Sequence, residues 1–144
     1  MAEFKFVISE PETKKSYQKA VSHEQAAGVI GKRIGEEFSG DFLGLPGYTF
    51  KVTGGTDKDG FPMHPSVRGS VKKRILLAGP PGFYPKIKGQ RKRKMVRGDT
   101  ISPEVVQINV KITKKGERAL TEIFPAKEKT TEKKEETKTA EAKA

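Results

Sequence analysis

Eleven basic side chains crowd into positions 68–97 of this chain: Arg68, Lys72, Lys73, Arg74, Lys86, Lys88, Arg91, Lys92, Arg93, Lys94 and Arg97, with no Asp or Glu among them. The formal net charge is +11, from 29 Lys and Arg against 18 Asp and Glu. This window alone accounts for the excess, so the remainder of the chain is electrically balanced and the basicity is local. Such a segment repels itself unless a polyanion lies against it. Nucleic acid is the commonest such partner, because Lys and Arg neutralise phosphates and release condensed counterions. Arg91, Arg93 and Arg97 offer planar forks for two phosphate oxygens, while the lysines act as point charges. Phe83 and Tyr84 lie in the same window and bring rings that stack on bases or sugars. The candidate RNA-binding set is the eleven basic residues together with Tyr84. A solvated basic loop with no dedicated partner is the plainer alternative.

Other chemistries find no support. His23 and His64 are the two histidines, and Cys is absent. Two imidazoles need carboxylates to complete a zinc site, and without thiols there is neither a disulfide framework nor a thiolate site. His64 stands near the basic window, where a polar contact to RNA competes with the simpler role of an exposed loop histidine. Asp57-Lys58-Asp59-Gly60 begins like a calcium loop, but its glycine comes two places early and Arg68 falls where the bidentate Glu belongs. No G-x-x-x-x-G-K-[ST] phosphate loop and no G-x-S-x-G elbow occurs. Asp99 after Gly98 fits a turn residue that caps nearby N–H groups better than a catalytic acid. No enzyme, metal, cofactor or small-molecule substrate is expected.

The elements that must carry the basic window read mostly as strands. Phe4, Phe6 and Ile8 alternate with polar neighbours, and Tyr17, Lys19 and Val21 resume the alternation after Pro11-Glu12-Thr13. Residues 3–9 and 15–21 are therefore expected to pair as a hairpin. Ser22, with Gln25 three places on, predicts the cap of a short helix over 22–30, which Gly28 weakens. Glycines then come thickly from Gly31 to Gly60, with strand patterns at Ile34, Glu36 and Phe38 and at Tyr48, Phe50 and Val52. Residues 71–77 predict a strand with Lys72 and Arg74 outward and Val71 and Ile75 toward the core. Residues 79–94 predict a long, mobile loop: Gly79-Pro80-Pro81-Gly82 breaks any ladder, and 89–94 has nothing apolar to bury. Gly54, Gly55 and Gly89 could let backbone approach RNA closely. The stretch 52–63 otherwise reads as a structural loop that packs Phe61 and Met63. Val106, Ile108, Val110 and Ile112 give the clearest strand, ending at Lys114-Lys115-Gly116-Glu117.

Six or seven short strands with Gly-rich links and little helix predict a mostly β fold, a small β-barrel or tightly rolled sheet occupying residues 1–124. Residues 125–144 contain only Lys, Glu, Thr, Ala and one Pro. With no large apolar side chain to offset the ordering entropy, this tail is expected to be disordered, the alternative being a single charged helix. The longest aliphatic run, Ile75-Leu76-Leu77-Ala78, is too short to span a bilayer, and the N-terminus lacks a signal-peptide apolar region. A soluble cytoplasmic protein is expected.

Residues 52–63, Val-Thr-Gly-Gly-Thr-Asp-Lys-Asp-Gly-Phe-Pro-Met, closely resemble the signature of small-subunit ribosomal protein six of the archaeal and eukaryotic type, which is unrelated to the bacterial protein of the same number. Residues 89–98 and 110–117 resemble the same family, in the same order and at compatible spacing, over about residues 4–117. The resemblance implies a β-barrel domain bound to small-subunit ribosomal RNA in a structural role, with neighbouring ribosomal proteins as further partners. Eukaryotic members continue into a long basic helix with phosphorylated serines. This tail has Thr but no Ser, so serine signalling does not carry over, and the short form suggests an archaeal source. Two rivals remain: a free regulatory RNA- or DNA-binding module, and a membrane-surface protein held by its polybasic loop to anionic lipids, for which no amphipathic helix or lipidation signal is seen.

Overall fold

The structure, a computed structural model, describes residues 3–116 and 118–124. The expected tail disorder concerns residues outside that range. The hairpin at the N-terminus forms from β1 (Glu3–Glu10) and β2 (Lys15–Ser22), paired antiparallel from Glu3↔Ser22 to Glu10↔Lys15. Then come β3 (Glu37–Ser39), β4 (Thr49–Asp57), β5 (Lys72–Leu77), β6 (Lys92–Arg97), β7 (Val105–Lys114) and the single-turn helix α1 (Leu120–Ile123). Five strands make one sheet in the order β2-β1-β7-β4-β3, while β5 and β6 make a separate two-stranded ribbon. The mostly β class and seven strands match the sequence pattern. The barrel does not close, however: the five-stranded sheet ends in the edge strands β2 and β3.

The alternation read in the sequence is what builds the core. Phe4, Phe6 and Ile8 of β1, Phe50 and Val52 of β4, and Ile108 and Val110 of β7 are buried to 1% exposure or less. Each such side chain contributes about 1.5–3 kcal/mol by leaving water. Val29, Leu43, Leu45 and Ile101 from the connections close the cluster. β7 sits at the centre, parallel to β1 (Phe6↔Ile108) and antiparallel to β4 (Phe50↔Ile112).

Several local expectations are corrected. Instead of a capped helix over 22–30, Ser22 closes β2 and only Ala27–Val29 takes a short 3-10 turn, with no side-chain cap. Glycines at 28 and 31 leave too little helix propensity to propagate a nucleus. Ile34 lies before β3 rather than in it, because Gly35 takes φ +95° and turns the chain. Lys92, Arg93 and Lys94 are not loop but strand, paired with Leu77, Leu76 and Ile75. Their side chains need no burial, because a ribbon strand can be exposed while its backbone is paired. Charged edges of this kind also resist pairing with other chains. Val71 is 55% exposed rather than inward: it precedes β5, which starts at Lys72, and the second core is built from Leu77, Val96, Val67 and Phe83 with half-buried Ile75.

A two-stranded ribbon is marginal in water on its own. Two devices support this one. Leu77 and Val96 pack with Val67 and Phe83, and half-buried Ile75 joins them, in a second small core. At its base, β6 is stitched to the segment after β4: the Arg97 N–H donates to the Pro62 carbonyl at 2.8 Å and the His64 N–H to the Arg97 carbonyl at 2.9 Å.

Candidate nucleic-acid interface

Strand parity sorts the basic window into two faces of the ribbon. The register Lys73↔Val96, Ile75↔Lys94 and Leu77↔Lys92 puts Lys73, Lys92 and Lys94 on the face that carries the second core. The register Lys72↔Arg97, Arg74↔Met95 and Leu76↔Arg93 puts Arg74 and Arg93 on the opposite face. Arg68, Lys73, Arg74, Lys86, Lys88, Arg91, Lys92, Arg93 and Lys94 are all exposed. None of these nine makes an ion pair among the described residues. Tyr84 is 77% exposed and lines a shallow depression of about 440 Å³ with Phe83, Lys86, Gln90, Lys92 and Lys94. Phe83 is 8% exposed and committed to the second core, so it offers no free ring to a base.

Arg97 departs from the expected set. Its side chain is 4% exposed and donates to the Asp57 carboxylate at 3.0 Å, to Glu104, and to the Ser102 hydroxyl at 2.8 Å. With both terminal nitrogens on protein acceptors and the side chain buried, Arg97 is placed as an anchor rather than as a phosphate ligand. Lys72, its cross-strand partner, reaches the same Asp57 at 3.0 Å and also pairs with Asp59. Those two carboxylates raise the Lys72 pKa, and its charge is largely spent inside the protein.

Asp57 is the residue that the sequence reading undervalued. Its side chain is fully buried. Burial pushes its pKa up, but hydrogen bonds from Lys72 and the Lys58 N–H and the nearby Arg97 charge outweigh that and hold it below the ordinary value. Glu104 is likewise lowered by Arg97. Asp57 turns inward because a β-bulge between Val52 and Gly54 shifts the phase of β4, so that Gly55 and Asp57 follow Phe50 and Val52 into the interior. The available signal was the acid inside the glycine-rich stretch 52–63, but the bulge that aims it is not written in residue types.

The other residues of that stretch play structural parts. Met63 is buried, and the Met63 N–H donates to the Gly55 carbonyl at 2.9 Å. A Cβ on Gly55 would come within 2.4 Å of the Gln107 carbonyl oxygen. The close approach that Gly55 permits is therefore to β7, not to RNA. Gly54 and Gly89 have open space around them. Asp99 caps as expected, accepting from the Gly69 N–H at 2.9 Å. His64 accepts from the Ser66 N–H at 3.2 Å, and His23 stacks on Phe4 at 4.0 Å. No cluster of His, Asp and Glu able to hold a metal occurs among the described residues. No helix there is long and apolar enough to cross a membrane.

A model of the family described as ribosomal protein S6e matches residues 4–125. The chain belongs to the ribosomal protein S6e family. Among its relatives are archaeal proteins named small ribosomal subunit protein eS6. That of Methanocaldococcus jannaschii is 49% identical over 83% of this chain and 89% of the relative. That of Archaeoglobus fulgidus is 51% identical over 88% of this chain and 98% of the relative. The protein of Hyperthermus butylicus is 47% identical over 79% of this chain, but only 48% of that longer relative is covered. The S6e match spans the five-stranded sheet from Phe4 onward and the ribbon, so it covers every candidate RNA-binding residue.

Proposed function

We propose that this S6e-family chain is a structural constituent of the small ribosomal subunit, working in the cytoplasm. In this reading the ribbon and the adjoining turns hold it on ribosomal RNA. The carrying observation is nine exposed Lys and Arg side chains, without an ion pair among the described residues, on one projection, in a stretch from 60 to 98 that has no acid. The five-stranded sheet supplies the rigid mount, and the Arg97–Asp57 pair fixes the projection to it. Neighbouring ribosomal proteins are the other partners this role entails. The family gives no catalytic task.

Replacing Arg91, Lys92, Arg93 and Lys94 together by Glu tests this. All four side chains are exposed, so each change should cost within about 0.5 kcal/mol. The variant should melt close to wild type yet vanish from purified small subunits. In parallel, if about six to eight of the nine exposed charges meet phosphates, RNA affinity should fall with a log–log salt slope of roughly −4 to −7. Normal folding with wild-type occupancy, or an affinity flat with salt, would refute the proposal. Co-sedimentation with small subunits at moderate salt separates it from a free regulatory nucleic-acid-binding module.

A further inference from the structure

The two faces of the ribbon differ in chemistry as well as in direction. The inner face is covered: Gly82 and Phe83 fold over Leu77 and Val96, leaving Lys73, Lys92 and Lys94 at the margin. The opposite face is open. Its side chains beyond the Lys72–Arg97 base are Arg74, Leu76, Arg93 and Met95, with Leu76 53% exposed and Met95 38%. Cross-strand pairing sets Arg74 opposite Met95 and Leu76 opposite Arg93, so the guanidinium groups occupy one diagonal and the apolar side chains the other. Lysines therefore mark one face, and arginines with aliphatic neighbours mark the other.

We propose that the open face receives unstacked nucleobases of RNA, while the lysine margin tracks phosphates. This rests on the RNA-binding reading above and assigns a division of labour within it. A guanidinium is planar, weakly hydrated and stacks on ring faces, which an ammonium does not do. Diagonal positions on a ribbon lie ~7–8 Å apart, close to twice the roughly 3.4 Å spacing of successive bases. Arg74 and Arg93 can therefore bracket one base plane. Leu76 and Met95 cover its edge and keep water from the contact, since RNA recognition favours splayed bases on Arg planes and apolar surfaces. The charge favours RNA over protein as occupant: no Asp or Glu lies between 60 and 98 to pair with the basic groups that a protein surface would also have to meet.

The test uses the full chain and an unstructured oligoribonucleotide carrying one fluorescent base analogue. Wild type should change the fluorescence of the analogue on binding. R74K/R93K keeps every charge, and its melting temperature should be unchanged. It should lose affinity by about ten-fold together with the fluorescence response, while its salt slope stays that of wild type. K92Q/K94Q should do the converse, lowering the slope by about 0.7 per lost contact and keeping the response at saturation. An R74K/R93K chain that binds and reports like wild type, beside a steep wild-type slope, overturns the division of labour and leaves the RNA-binding reading standing. An L76S/M95S chain that binds RNA normally but no longer takes up a purified ribosomal protein would make the face a protein dock and overturn it too. A wild-type chain with no salt-dependent RNA affinity overturns both readings.

Discussion

Arg97→Met is the change that most directly tests how the basic ribbon is held. It keeps the buried aliphatic stem and removes the fork that meets Asp57, Glu104 and Ser102. Removing one partner of a buried ion pair costs about 3–5 kcal/mol, because the remaining charge stays buried. Asp57 retains Lys72 at 3.0 Å and the Lys58 N–H at 2.7 Å. That places the expected loss near the lower bound, about 3 kcal/mol in urea unfolding at neutral pH. Asp57 has a folded pKa below its unfolded one. The stability it contributes is therefore full above the ordinary carboxylate pKa and lost as pH falls through the folded value. The gap between wild type and Arg97→Met should accordingly narrow below about pH 4. Adding Asp57→Asn to Arg97→Met should restore part of the loss, since no uncompensated charge is then buried. Amide exchange should quicken in β5 and β6 before β1 and β7. A loss under about 1 kcal/mol, or one independent of pH, would mean that Arg97 is not the anchor described above.

Two glycine positions give further predictions. At Gly98 an added Cβ would sit 1.9 Å from the Gly69 carbonyl oxygen, a rigid backbone group. Gly98→Ala should therefore cost ~3 kcal/mol or more, read as a lowered urea midpoint; a midpoint within error of wild type would contradict the packing. Lys14 holds φ +57° in the turn between β1 and β2. Lys14→Gly should stabilise the hairpin by roughly 0.5–1 kcal/mol, the left-handed strain relieved less the extra freedom of glycine, and a lower melting temperature would refute that balance.

The parts that the sequence disclosed were those with one wet and one dry face. β1, β4 and β7 show alternation because Phe4, Phe50 and Ile108 have polar neighbours that stay outside. The ribbon was half visible for the opposite reason: Lys92, Arg93 and Lys94 are exposed on both faces, so no hydrophobic period marks them as a strand. Only their backbone pairing with Leu77, Leu76 and Ile75 makes them one. Arg97 counted as a phosphate ligand because a charge tally cannot see direction. Its fate is decided by the phase of two strands, Asp57 turned inward by a bulge in β4 and Arg97 brought over it as the last residue of β6. The expected helix cap at Ser22 does not form, because local capping chemistry is present without an apolar stripe to make the helix worth forming.

The central place of β7 also orders events in time. β1 has as sheet neighbours only β2 and β7, and β4 only β3 and β7. The two hairpins that open and bisect the chain therefore cannot be joined until Val105–Lys114 has left the peptide tunnel. By then all of the polycationic stretch has already emerged. A nascent chain thus displays its concentrated positive charge before it owns a folded platform to aim it, and synthesis of one late strand converts a loose polycation into a directed arm. Distant pairing of this kind also slows folding, so the interval in which the newborn chain carries this charge without its mount is built into its topology.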